Sequence, residues 1–161
     1  MRAWHFRKDI AGEKYKSLLQ VLLASSAEFA FVWVPWFDTW KPSAASLASD
    51  LSPRLTRVKQ TPAWPGNRLS DTTARVAFYR SGEDALPTLL RPGSLFSWRG
   101  PAFPEDLSFY DVNGNAVMGS VAHEHDGWVL SPRLAKELGQ LVTLERVTVE
   151  GRDEDNVRGV G

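Results

Sequence analysis

The chain contains no cysteine among its 161 residues. That excludes disulfides, thiolate nucleophiles and cysteine-held zinc or iron–sulfur centres together. An excess of either charge is missing too, because 19 lysines and arginines balance 19 aspartates and glutamates. No global field therefore draws the protein towards nucleic acid or an anionic membrane. The longest apolar run, FAFVWVPWF at 29–37, is about half of what a membrane span needs. The opening MRAWHFRKDIAGEKYK carries charges with no apolar core before them, so no signal peptide is expected and the expected location is cytoplasmic. The glycines form neither a P-loop nor a G-x-G-x-x-G, and no G-x-S-x-G elbow is present. Phosphates held in those ways and a hydrolase triad built on that elbow lose their anchor, and no cofactor is expected.

What is present is the composition of an ordinary globular protein, 43% apolar and 24% charged. The length suits one domain, expected over 1–150, with the polar, glycine-rich stretch 151–161 expected to be disordered. MRAWHFRK reads as a first strand. Tyr15, Leu18, Leu19, Leu22 and Leu23 recur at helical spacing. EFAFVWVPW is apolar on both faces, as a strand inside a sheet would be. Residues 41–58 read as a helix from near Ser43 with a break at Pro53, and 60–71 as a loop. TARVAFYRS alternates as a strand, and GEDALPTLLRPG reads as a short helix. Ser131 and Pro132 are the cap and first position of another helix that Gly139 ends. VTLERVTVE is a candidate last edge strand.

The strongest local signal is Asn113-Gly114 between two alternating apolar runs, the chemistry of a two-residue hairpin turn. That register sets Tyr110 opposite Val117, Leu107 opposite Ser120 and Pro104 opposite His123. Alternation then puts Asp106, Ser108, Tyr110, Val112, Val117, Val121, His123 and His125 on one face. Leu107, Phe109, Ala116, Met118 and Ala122 fall on the other, with Glu105 and Glu124 at its far end.

SVAHEHDGW at 120–128 brings acids and histidines into one short stretch. An Asp106–His123 pair would fix an imidazole tautomer for acid–base work, with Glu105 or Glu124 assisting and Tyr110 and Trp128 as pocket walls. The bland alternative is a solvated strand end, or an Asp106 that caps the loop after Pro104. His123 and His125 also share strand spacing with Asp106 as a third ligand. HEH is not the helical HExxH pattern, however, and no metal is expected. His5 reads as a packed or surface histidine. Trp33, Trp36, Trp40, Trp64 and Trp98 exceed what a small core usually takes. Trp36, Trp40 and Trp64 lie in or near expected loops and are candidates for a recognition surface.

WPGNRL at 64–69, RVAFYR at 75–80, SLFSW at 94–98, PEDLSFYDVNGN at 104–115 and GSVAHEHDGWVLS at 119–131 occur in a fixed order. Over this second half the chain resembles an uncharacterised family of small bacterial proteins, some of whose members carry a stage III sporulation label. The resemblance implies an α+β fold and ties Pro104, Glu105, Asp106, His123 and Glu124 into one linked feature. It implies no reaction.

The expected fold is a single α+β domain, a mainly antiparallel sheet of four to six strands with helices on one side. The expected function is non-catalytic binding of another protein, of an immunity or regulatory type. The alternative is a small enzyme using Asp106 and His123. A small-molecule ligand fits either reading.

Overall fold

The computed structural model describes residues 1–159. Strand β1 (Arg2–Phe6) leads into α1 (Gly12–Ser25), whose five large apolar side chains at helical spacing are all buried. β2 (Glu28–Trp33) follows and is buried on both faces through its middle. α2 (Pro42–Leu51) starts on a proline whose fixed φ suits a first helical position. After Pro53 the chain does not return to helix. Residues Leu55–Thr61 form β3, a correction to the helix expected there. The cause is tertiary: β3 finds a ladder of partners along β6, interrupted only by an irregularity at Thr56.

The stretch expected to be a loop holds a small hairpin, β4 (Ala63–Trp64) and β5 (Asn67–Arg68), turned by Pro65 and Gly66. β6 (Ala74–Arg80) and the short α3 (Leu86–Leu89) then precede β7 (Glu105–Tyr110), β8 (Ala116–Val121) and β9 (Asp126–Val129). α4 (Pro132–Leu138) is capped as its sequence predicts, with Leu134 N–H donating to Ser131 Oγ and Gly139 at the end. β10 (Glu145–Thr148) and α5 (Arg152–Arg158) complete the described chain.

Eight strands make one antiparallel sheet in the order β10-β1-β9-β8-β7-β2-β6-β3. The architecture is α+β as expected, and the sheet is larger than four to six strands. Two of the extra strands come from places where local pattern misleads: β3, read as helix, and β9, read as a continuation of β8. Helices also occupy both faces. α1 to α4 cover the face bearing Phe29, Phe31, Leu107, Phe109 and Met118. The opposite face has two smaller clusters, one around Val32, Val76, Trp64 and Tyr110 and one around Val121, Trp128 and Val157 of α5.

The tail expected to be disordered is thus largely a docked helix. Asn156 O accepts from Gly66 N–H at 2.7 Å, and Val157 O accepts from the Trp128 indole at 3.2 Å. Residues 160–161 of that tail lie outside the described residues.

Asn113 and Gly114 do form the hairpin tip, but in a three-residue loop. Asp111 pairs with Asn115, and Gly114 N–H donates to Asp111 O. Gly114 has φ +80°, the left-handed conformation that a type I turn followed by a bulge requires. Asp111 Oδ1 accepts from both Asn113 and Asn115 N–H at 2.9 Å and so fixes the longer loop. Tyr110 therefore pairs with Ala116 rather than Val117. Ala116 joins Tyr110 on the α5 side, while Val117 packs against the helix side. A bulge then restores the expected register, with Phe109 opposite Met118.

Candidate functional site

β7 begins with a second irregularity. Ala30 pairs with Ser108 but Val32 pairs with Glu105, so Asp106 and Leu107 together oppose Phe31. Asp106 sits at φ +57° within this bulge. A left-handed residue breaks the up–down alternation of a strand, which lets two consecutive side chains turn to the same side. Glu105 and Asp106 do so. A carboxylate oxygen of each and a ring nitrogen of His123 all lie within 4.8 Å of one another.

Asp106 is 2% exposed and heavily bonded. Its Oδ2 accepts from the Trp64 indole N–H at 2.9 Å and from the Asn67 amide at 3.0 Å, and its Oδ1 accepts from Ala122 N–H at 3.0 Å. Burial pushes its pKa up to about 7 against the pull of those donors, and the carboxylates of Glu105 and Glu124 push the same way. Glu105 is 7% exposed. Its Oε1 accepts from Gly100 N–H at 2.9 Å, and its Oε2 is buried with no partner among the described residues. Burial raises its pKa too, opposed by that amide, His123 and Arg99.

His123 does not lie on a strand. β8 ends at Val121, and Ala122–Glu124 form a single 3-10 turn closed by His125 at φ +53°. The turn leaves the His123 side chain about half exposed, with Nε2 3.8 Å from Glu124 Oε1. Among the described residues no hydrogen bond joins His123 to Asp106, whose oxygens are taken by Trp64, Asn67 and Ala122. The bonded dyad expected from the register is therefore not formed, although the two side chains are brought together. His125 stands apart from the cluster, stacked on Phe96 with ring centroids 5.5 Å apart.

A bonded histidine–aspartate pair does occur elsewhere. His5 Nδ1 lies 3.0 Å from Asp126 Oδ1, between neighbouring strands β1 and β9. The pair borders a cavity of about 250 Å³ that Gly66, Glu124, Trp128 and Asn156 also line. His5 is packed, at 8% exposure, but its sequence context gives no sign of a carboxylate partner. The partners are 121 positions apart, and no local spacing announces a pairing of that range.

The candidate recognition tryptophans divide. Trp64 and Trp128 are buried, as is Tyr110, so none of the three offers a free surface. Trp64 spends its indole N–H on Asp106, and Trp98 donates to Tyr15 Oη within the helix-side core. Trp40 is half-buried, with its ring 4.8 Å from Trp33 and 5.1 Å from Phe37. Trp36 is 56% exposed. No helix among the described residues is long and apolar enough to cross a membrane. No family model, curated protein or solved structure matches the chain.

Proposed function

We propose that the protein is a binding module that docks another protein over the aromatic loop between β2 and α2. The observation that carries this reading is the placement of Trp36. Three other aromatic residues, Trp33, Phe37 and Trp40, form a ring-packed base beneath the loop. Phe37 and Trp40 also pack against the Val32–Trp64 cluster of the sheet. Phe37 further lies against Gly100, where an added Cβ would come within 2.3 Å of its ring. Lys41 N–H donates to Pro101 O and ties the loop end to the same neighbour.

A loop held this firmly presents Trp36 to solvent without needing to order it on binding. Pre-organisation of that kind lowers the entropic cost of association. Tryptophan is among the residues that most often dominate binding energy, and arginine is another. Arg75 lies over the Trp33 ring, 5.6 Å from its centroid, at the border of the same patch. With zero net charge the chain has no bulk field for steering, so recognition rests on local contact. An immunity-type or regulatory protein is the class of binder this describes.

The test compares capture of a partner from the native source by the parent chain, by Trp36→Ala and by Val112→Ala. Val112 is exposed at the far hairpin tip and serves as the control. A partner held by the parent and by Val112→Ala but lost by Trp36→Ala supports the reading. Equal retention by all three would end it.

The His5–Asp126 pair gives a second reading a specific footing. A carboxylate-oriented imidazole beside a cavity is suited to acid–base work on a small molecule. Small-molecule fragments that shift the His5 ring signals in NMR would favour it. A fragment set that leaves those signals unmoved would count against it.

A further inference from the structure

We propose that Glu105, Asp106 and His123 form a binding site for one first-row divalent transition ion, such as Zn²⁺ or Mn²⁺. The proposal is independent of the aromatic loop and rests on two separate observations. One is convergence: two carboxylate oxygens and an imidazole nitrogen stand within 4.8 Å of one another. Ligands around a tetrahedral zinc stand about 3.4 Å apart. Closing the remaining gap needs only a modest swing of His123, whose side chain is half exposed on a single turn.

The other observation is an orphan. Among the described residues Glu105 Oε2 is buried and has no hydrogen-bond partner, while its sister oxygen is fixed by Gly100 N–H. A buried carboxylate oxygen left bare is costly, and a cation in the cluster supplies what it lacks.

The surroundings resemble what holds metal ligands in place. Trp64, Asn67 and the Ala122 amide orient the Asp106 carboxylate, and Gly100 orients Glu105. Such donors behind the ligands set their direction and basicity. The imidazole selects against Mg²⁺ and Ca²⁺, which take oxygen ligands, in favour of a transition ion. Three protein ligands leave a coordination position on the exposed His123 side for water or a further ligand. The left-handed backbone at Asp106 then has a use: it sets consecutive carboxylates side by side, which a regular strand cannot do.

The test is calorimetric titration of the chelator-stripped full chain with Zn²⁺ and, separately, Mn²⁺. The parent should bind one equivalent of at least one of them. Glu105→Gln and His123→Asn should each weaken that binding on the order of 100-fold, while His125→Asn leaves it unchanged. Glutamine can keep the Gly100 bond, and His123 lies on an exposed turn, so at least one variant retains the fold. Two results would overturn the proposal. One is no binding of either ion to the parent at about 1 mM. The other is undiminished binding by His123→Asn, which would place the ion elsewhere.

Discussion

Trp64 donates its indole N–H to Asp106 Oδ2 at 2.9 Å across 42 positions of sequence. The bond joins the β4–β5 hairpin to the bulged start of β7, and the other oxygen of Asp106 reaches the turn after β8 through Ala122 N–H. Three separate segments, WPGN, PED and AHE, therefore meet on one buried carboxyl group. A single acceptor shared by three donors should behave as a unit. Trp64→Phe keeps an aromatic ring but removes the N–H together with part of the buried indole, so it should cost at least the about 1–3 kcal/mol of a buried acceptor left short of its donor. Asp106→Ala strands three donors at once and should cost more. Chemical denaturation of both single variants and the double variant measures this. Strict additivity would show that the bond carries no coupling.

The C-terminal helix should be part of the cooperative fold. Val157 is buried against Val121 and Trp128, and its carbonyl holds the Trp128 indole. Val157→Ala should cost about 1–3 kcal/mol, in the range for truncating a buried aliphatic side chain. Removal of residues 151–161 should lower the melting temperature further and shift tryptophan emission to the red. An unchanged melt after that deletion would mean that the helix adds nothing to stability.

Alkaline pH should unfold the protein through its tyrosines. Burial pushes Tyr79 and Tyr110 up to about 12, and it raises Tyr15 as well. Tyr15 Oη also donates to Leu89 O at 2.6 Å, which the phenolate could not do. An unfolded tyrosine ionises near pH ~10. Above that pH the folded chain keeps protons that the unfolded chain releases, so stability falls as pH rises from about 10 towards 12. Phenolate absorbance should appear together with loss of circular dichroism. Tyrosines that titrate reversibly near pH ~10 in an intact fold would contradict the burial argument.

Much of this was legible because its causes are local. Ser131, Pro132 and Gly139 mark α4 because caps are decided within a few residues. Alternation in 74–80 marks β6 for a similar reason. The hairpin was legible in place but not in length. Asn-Gly names a tip, while the Asp111 side chain, bonding two amides beyond itself, adds the third loop residue.

The candidate site was legible only as a list of residues. Its shape depends on an aspartate taking a left-handed backbone conformation, which residue type does not signal as glycine would. The fate of the tryptophans was equally hidden. Trp64 and Trp36 both sit beside prolines in turn-rich stretches. One is buried because Asp106 gives its N–H an acceptor, and the other is left outside by the packing of Phe37 and Trp40. α5 escaped notice because one buried residue, Val157, anchors an otherwise polar helix.

On the proposed function, Trp36 on its rigid aromatic base is the contact through which the protein binds a protein partner. The most direct measurement is the affinity of the captured partner for the parent chain and for Trp36→Ala, with thermal melts run beside both. Trp36→Ala should lose about 2 kcal/mol or more in binding with an unchanged melting temperature, because Trp36 is more than half exposed and supports no core. Equal affinity for the two proteins, or lost binding explained by an unfolded variant, would contradict it.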